Sequence, residues 1–318
     1  MLLLILLQVV LPIGLIVWLA CAPAKNFIGY IVQAVATGLT VLALALVALW
    51  MLLPWWLPFA YALLCLLAIA YRAWRHGFNF PSRQPTTLSE WIVLATLIAL
   101  GSLGAILSWQ GIQGRQLPAV GVVDIPPPLG PGTYLVANGG SREAVNGHMK
   151  TLDPTVERLR AYRGQSYGLD LIKIDRLGLR ARGLWPQDPA AYDIYGEPVY
   201  SPCDGDVIAS RNDRPDMPVP VMDRQVIEGN HVLLRCNDVM LLLAHFQPGS
   251  VRVDVGDRVR VGTHLGAVGN SGNTAEPHLH ISAQREGSRA EPLSGNPLAI
   301  VIDGRYLVRN DRLYIGPP

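Results

Sequence analysis

Two histidines stand two residues apart in Pro277-His278-Leu279-His280, reached through Gly269-Asn270-Ser271-Gly272-Asn273 and continuing as Ile281-Ser282-Ala283. In an extended strand, residues i and i+2 point to the same side, so both imidazoles aim at one spot. Imidazole is the commonest metal ligand of proteins and is also a catalytic base near neutral pH. A pair aimed together is suited to hold a metal ion or to pass protons, although a solvated strand face carries the same pair with no chemistry at all. The remaining residues decide between these.

Hydrolysis at a zinc ion calls for three protein ligands and one open position. His148, His231, His245 and His264 are further donors outside the apolar front of the chain. His245 closes the apolar run Val239-Met240-Leu241-Leu242-Leu243-Ala244, where a histidine is either a satisfied core residue or the lining of a site at the strand end. Asp170 stands between Leu169 and Leu171, and a carboxylate in an apolar strand is costly unless it is hydrogen-bonded, paired or metal-bound. His148 lies in the polar stretch 141–165. Composition and spacing favour a metal site and leave its ligand set open.

The elements that must position these groups are short strands. Tyr134-Leu135-Val136-Ala137 and Tyr167 to Ile174 read as strands, and Gly205 marks a tight turn after Ser201-Pro202. Gly229 to Cys236 and Val239 to Phe246, joined by Asn237-Asp238, read as a hairpin. Residues 176–196 and 210–228 read as loops. Many short strands at short spacing predict an all-β domain, an antiparallel sheet or open barrel, and exclude a doubly wound fold. This domain spans 133–318, behind a Gly- and Pro-rich tether over 110–132 in which Pro126-Pro127-Pro128 is stiff.

The first 109 residues are of another kind. Residues 1–20, 27–53, 56–74 and 91–109 are apolar on every side, which predicts four transmembrane helices. The first run lacks the basic leading region of a cleaved leader and is read as a retained span. Lys25, Arg72, Arg75 and Arg83 place their loops on the cytoplasmic side, so the chain after about residue 110 lies outside the cytoplasm. Only Glu90, at an edge, brings an acidic group to the spans, which argues against a transporter or sensor. Residues 111–318 have scattered basic groups and no basic block, which excludes a nucleic-acid partner. An oxidising location permits a disulfide between Cys203 and Cys236, with two free thiols as the alternative.

The stretches GEPVYSPCDGDVIAS, GNHVLLRC, LLLAHFQPGSV, VDVGDRVRVGTHLGAVGNSGNT and EPHLHISAQ, in that order, resemble a lysostaphin-type zinc metallopeptidase domain over roughly residues 134–305. The resemblance implies that fold, and a Zn²⁺ held by His148, Asp170 and His280, with His245 and His278 as catalytic residues beside the metal. The position four before the aspartate, where this family usually carries its first histidine, is Ser166. The resemblance then points to the upstream His148 in Asn146-Gly147-His148, with His264 and His231 as alternatives. It also implies peptide bonds of peptidoglycan as substrate and a bacterial cytoplasmic membrane as location. A domain of the same fold that binds and activates another cell-wall hydrolase without cutting is the second expectation. Neither a regulatory partner nor the oligomeric state is specified.

Overall fold

The computed structural model describes residues 2–22, 26–76, 85 and 87–317. Lys25 and Arg83, two of the basic residues used above for orientation, lie outside the described residues. The chain divides into two compact units, Met1–Ala48 with Trp55–Gln113, and Leu49–Pro54 with Gly114–Pro318.

Among the described residues, four helices are long and apolar enough to cross a membrane: α1 (Leu2–Cys21), α2 (Phe27–Val47), α3 (Leu57–His76) and α4 (Leu88–Gly114). Asn26 caps α2 by accepting the Gly29 N–H at 2.7 Å, which satisfies one of the donors that a helix start leaves open. The expected second span ran to residue 53, but α2 ends at Val47, with Ala48 already extended. The next proline, Pro54, lies beyond that end. Within α2, the Thr37 and Thr40 hydroxyls donate to the carbonyls of Gln33 and Ala36, each at 2.8 Å. Internal bonding of this sort lets polar side chains sit in an apolar phase. A Cβ at Gly104 would stand 2.9 Å from the Leu39 carbonyl carbon, so a small residue is what allows α4 to approach α2 there.

The second unit is a sheet. Its strands are β1 (Val122–Ile125), β2 (Gly132–Asn138), β3 (Leu169–Lys173), β4 (Pro198–Tyr200), β5 (Gly205–Arg211), β6 (Asn230–Cys236), β7 (Val239–Phe246), β8 (Arg258–Val259), β9 (His264–Ala267), β10 (Leu279–Gln284), β11 (Pro297–Ile302), β12 (Arg305–Tyr306) and β13 (Arg312–Ile315). Among the described residues the main sheet has eleven strands, running β13-β2-β3-β10-β7-β6-β5-β8 with β1, β11 and β12 attached at the side, while β4 pairs with β9. The expected antiparallel sheet is present and does not close into a barrel among the described residues. Its exception is β1, parallel to β11, so part of the stretch read as a tether is a strand. The polar stretch 141–165 carries two 3-10 helices, Gly147–Leu152 and Glu157–Gln165.

Alternation sorts the strand residues. Leu169 and Leu171 of β3, Leu279 and Ile281 of β10, and Leu241 and Leu243 of β7 enter the main core. Asp170, His280 and Ala244 therefore share the opposite face. They also share one row. Asn138 is opposite Asp170, Asp170 opposite His280, and His280 opposite Ala244. The expected hairpin is formed, with Asn237 in the left-handed conformation, φ 57°, that a two-residue hairpin turn demands. Cys203 and Cys236 are disulfide-bonded, their Cα atoms 6.1 Å apart.

Candidate metal centre

His280 reaches the site by strand alternation and His278, two residues before it, by the same geometry. His280 Nδ1 is 3.0 Å from Asp170 Oδ1, and His278 Nε2 is 3.5 Å from the same oxygen. His148 arrives from the 3-10 helix over Gly147–Leu152, with Nε2 3.4 Å from Asp170 Oδ1. One carboxylate oxygen thus faces three imidazole nitrogens. His148, Asp170 and His280 form a cluster able to hold a metal ion, with their donor atoms within 4.8 Å of one another. Two donors about 2.0–2.1 Å from a tetrahedral zinc lie about 3.3 Å apart, which the 3.0 and 3.4 Å separations approach.

His245 enters by a different device. It lies at a break in the pairing of β6 with β7, where Asn230 opposes Phe246 and His231 already opposes Ala244. The extra residue is His245, whose φ is 69°. Strict alternation would send this side chain into the core with Leu243. The bulge resets the pattern, so Phe246 takes the core position and the imidazole joins Ala244 on the site face. The left-handed backbone costs on the order of 1–3 kcal/mol for such a residue, a strain found most often at functional sites. The His245 and His278 rings lie 4.7 Å apart, centroid to centroid.

Hydrogen bonds fix the tautomers. His245 Nδ1 donates to the Ser271 carbonyl at 2.8 Å. His278 Nδ1 donates to the Glu276 carbonyl at 2.9 Å. Nε2 is then the proton-accepting nitrogen of each ring. Asn146 is fully buried, and its Nδ2 donates to the Gly140 and Gly168 carbonyls at 3.0 and 3.2 Å. Its Oδ1 accepts both the His148 N–H and Nδ1–H, at 3.1 and 3.0 Å. His148 Nε2 therefore turns a lone pair toward Asp170 Oδ1. Two acceptors facing each other repel, and a cation between them removes the repulsion. His280 Nε2 is buried with no hydrogen-bond partner. The donor set, two imidazoles and a carboxylate with two more imidazoles alongside, fits zinc.

Charge is set by the same neighbours. Burial pushes His148 down to about 4, against the pull of Asp170, and keeps it neutral. Burial, with the His278 and His280 rings nearby, holds His245 well below its ordinary value. Burial alone would raise Asp170, yet the imidazoles of His148 and His278 hold it well below the usual carboxylate range. His278 resists burial because the Asp170 carboxylate beside it raises its pKa.

The groove beside this cluster has a volume of about 310 Å³ and is also lined by Gln165 and Glu228. A Cβ at Gly168 would come within 2.7 Å of His280 Cε1, so only glycine leaves room for that ring. The other two histidines considered are elsewhere. His231 Nδ1 bonds the Gly229 carbonyl at 2.9 Å, and His264 Nε2 bonds the Gly266 carbonyl at 2.8 Å. Several supporting groups were not singled out by sequence. Arg180 pairs with Glu276 at 2.6 Å, both side chains buried, and this pair holds the turn whose carbonyl orients His278. Arg309 donates to Asn138 Oδ1 at 2.7 Å. Loop residues of this type carry no periodicity that could have marked them.

Residues 190–292 match the family described as Peptidase family M23, a span that includes His245, His278 and His280 and stops short of His148 and Asp170. No curated protein matches the chain. Among solved structures, the catalytic domain of the antimicrobial peptidase lysostaphin from Staphylococcus simulans is 21% identical, over 39% of this chain and 71% of that one, with a TM-score of 0.26. A zinc-containing peptidase from Vibrio cholerae is 20% identical, over 41% of this chain and 48% of that one, with a TM-score of 0.24. Neither likeness bears on chemistry. What stands on the page is a partial match to that family over residues 190–292 and, beside it, a His/Asp/His cluster able to hold a metal ion.

Proposed function

We propose that the chain is a zinc-dependent endopeptidase, anchored in a bacterial cytoplasmic membrane by its four helices, that cuts peptide bonds of peptidoglycan outside the cytoplasm. The observation that carries this reading is the convergence of His148, Asp170 and His280 on one point with His245 and His278 beside it. The match to Peptidase family M23 over residues 190–292 supports it. The peptidoglycan substrate rests on the resemblance of the motifs to cell-wall peptidases. The outward orientation rests on the basic loops and on the Cys203–Cys236 disulfide, a bond that persists in oxidising compartments.

His148, Asp170 and His280 would hold the ion. When bound, Zn²⁺ polarises a carbonyl and makes water a better nucleophile. The chain's own residues do the rest. His245 and His278 each present Nε2 as the free nitrogen, so one imidazole takes a proton from the attacking water and a proton passes to the departing amine. The other, when it carries a proton on Nε2 as well as on Nδ1, donates to the carbonyl oxygen on which charge develops. The Ser271 and Glu276 carbonyls hold the Nδ1 proton of each ring and leave Nε2 turned to the site. An open groove beside the cluster suits thin, flexible stem peptides.

The test is made on the full chain in detergent micelles. One zinc per chain and release of new amino termini from purified peptidoglycan are expected. Zinc binding without cleavage of peptidoglycan or of its crosslinked peptides would overturn the peptidase reading, and a chain that takes up no zinc would overturn the metal reading.

A further inference from the structure

The usual family histidine is replaced by Ser166, so the first ligand comes from a loop instead of from the segment that leads into β3. Ser166 itself is fully buried, donating to the Arg163 carbonyl and bonded to the Thr151 hydroxyl at 2.7 Å. A loop histidine needs something to hold it against the sheet. The side chain of Asn138 provides this. Its Nδ2 donates to Asp170 Oδ2 at 2.8 Å, the carboxylate oxygen not shared by the imidazoles. Its Oδ1 accepts the Gly147 N–H at 3.2 Å, and Gly147 is the residue immediately before His148. One amide therefore ties the strand that carries one ligand to the loop that carries another.

The amide can do this in one orientation only, and Arg309 selects it. The guanidinium donates to Asn138 Oδ1 at 2.7 Å, to the Ala137 carbonyl at 3.0 Å and to the Ala144 carbonyl at 2.8 Å. Flipping the amide would turn its NH₂ toward two donors, the guanidinium and Gly147 N–H, and its oxygen toward the Asp170 carboxylate. Burial lowers Arg309 to about 10, which leaves it charged at neutral pH. Groups that orient ligands from behind set metal affinity almost as strongly as the ligands do.

We propose that Asn138 and Arg309 are positioning residues that lock the loop-borne His148 onto the strand-borne Asp170 and so set the affinity of the site for its metal. This rests on the metal reading above. Neither residue is one of the three donors, and the pair substitutes for the rigidity that the missing strand-side histidine would have had.

The test is a titration of the full chain in detergent with Zn²⁺ alone, in competition with a chromophoric chelator, for the parent and for Asn138→Leu, Arg309→Met and Arg309→Lys. The Tm of each metal-free protein is measured in parallel. Expected is a weakening of Zn²⁺ binding of roughly 10–100-fold in Asn138→Leu, with the metal-free Tm close to that of the parent. Arg309→Met weakens binding to a similar degree, and Arg309→Lys, which keeps a donor for Asn138 Oδ1, recovers part of the loss. If Arg309→Met fails to fold, Asn138→Leu decides alone. Zn²⁺ affinity within twofold of the parent in a folded Asn138→Leu would overturn the proposal. A parent that takes up no Zn²⁺ would overturn this proposal together with the metal reading, an outcome visible before any variant is compared.

Discussion

Asp170 and His280 lie directly opposite each other on adjacent antiparallel strands, with Oδ1 and Nδ1 3.0 Å apart. Cross-strand neighbours have little freedom relative to each other, so this pair is the fixed half of the site and His148 is the half that must be brought to it. Asp170→Asn keeps the size and most hydrogen bonds of the carboxylate and removes its charge. The expected outcome is a folded chain that no longer copurifies with zinc, measured by elemental analysis beside the parent.

His148→Ala separates the site from its alternatives. It is expected to lose zinc and peptidoglycan cleavage together. His231→Ala and His264→Ala, whose rings bond only local carbonyls, are expected to keep both. Zinc retained in His148→Ala and lost in either of the other two would move the first ligand elsewhere.

His245 and His278 are expected to behave differently from the ligands. His245→Ala and His278→Ala should bind zinc as the parent does and lose about 10²–10⁴-fold in turnover, the usual scale for a proton-transfer group. A variant that loses metal and activity in equal measure would make that histidine a ligand.

The metal-free chain is expected to lose stability as pH falls from about 7 to about 4. The sign follows from the histidines. His148, at about 4, and His245, lower than its ordinary value, are both held down chiefly by burial. The folded chain then binds fewer protons there than the unfolded one below about 6.5. Asp170, also lowered, adds to the loss only below the ordinary carboxylate range. His278, raised by Asp170, works the other way. Its contribution is present below about 6.5 and fades as pH rises through its folded value. Two lowered groups outweigh one raised group. Thermal unfolding followed by near-ultraviolet circular dichroism, with and without Zn²⁺, checks this, and a Tm that rises toward pH 4 in the metal-free protein would contradict it.

Reduction of the Cys203–Cys236 bond, which closes a loop of 33 residues in sequence separation, is expected to destabilise the sheet unit by roughly 3–4 kcal/mol on the loop-entropy account. Cys203→Ser with Cys236→Ser should show the same lowering of Tm, and a reducing agent should then have no further effect.

Much of this was legible before the structure, and the rest was not for identifiable reasons. His278 and His280 share a face because strand geometry has period two. Asp170 stood out because a carboxylate between two leucines is costly unless it is hydrogen-bonded, paired or metal-bound. The hairpin at Asn237-Asp238 was written in its turn residues. His245 was ambiguous because alternation sends it into the core, and only a bulge, which has no sequence signature of its own here, brings it out. Residues 122–125 were hidden among glycines and prolines because their pairing is with β11, some 175 residues later in the chain. The support of His148 by Asn146, Asn138 and Arg309 depends on the end of β2 meeting two segments distant from it in the chain, which no local pattern records.

Asp170 and His280 are 110 residues apart in the chain, and Arg309 lies 171 residues beyond Asn138. No short portion of the chain carries a working set of donors. During synthesis and export, the ligand strands exist well before the last residues that orient them have been made. A chain cut short before Arg309 therefore keeps every donor of the cluster and lacks the guanidinium that orients Asn138.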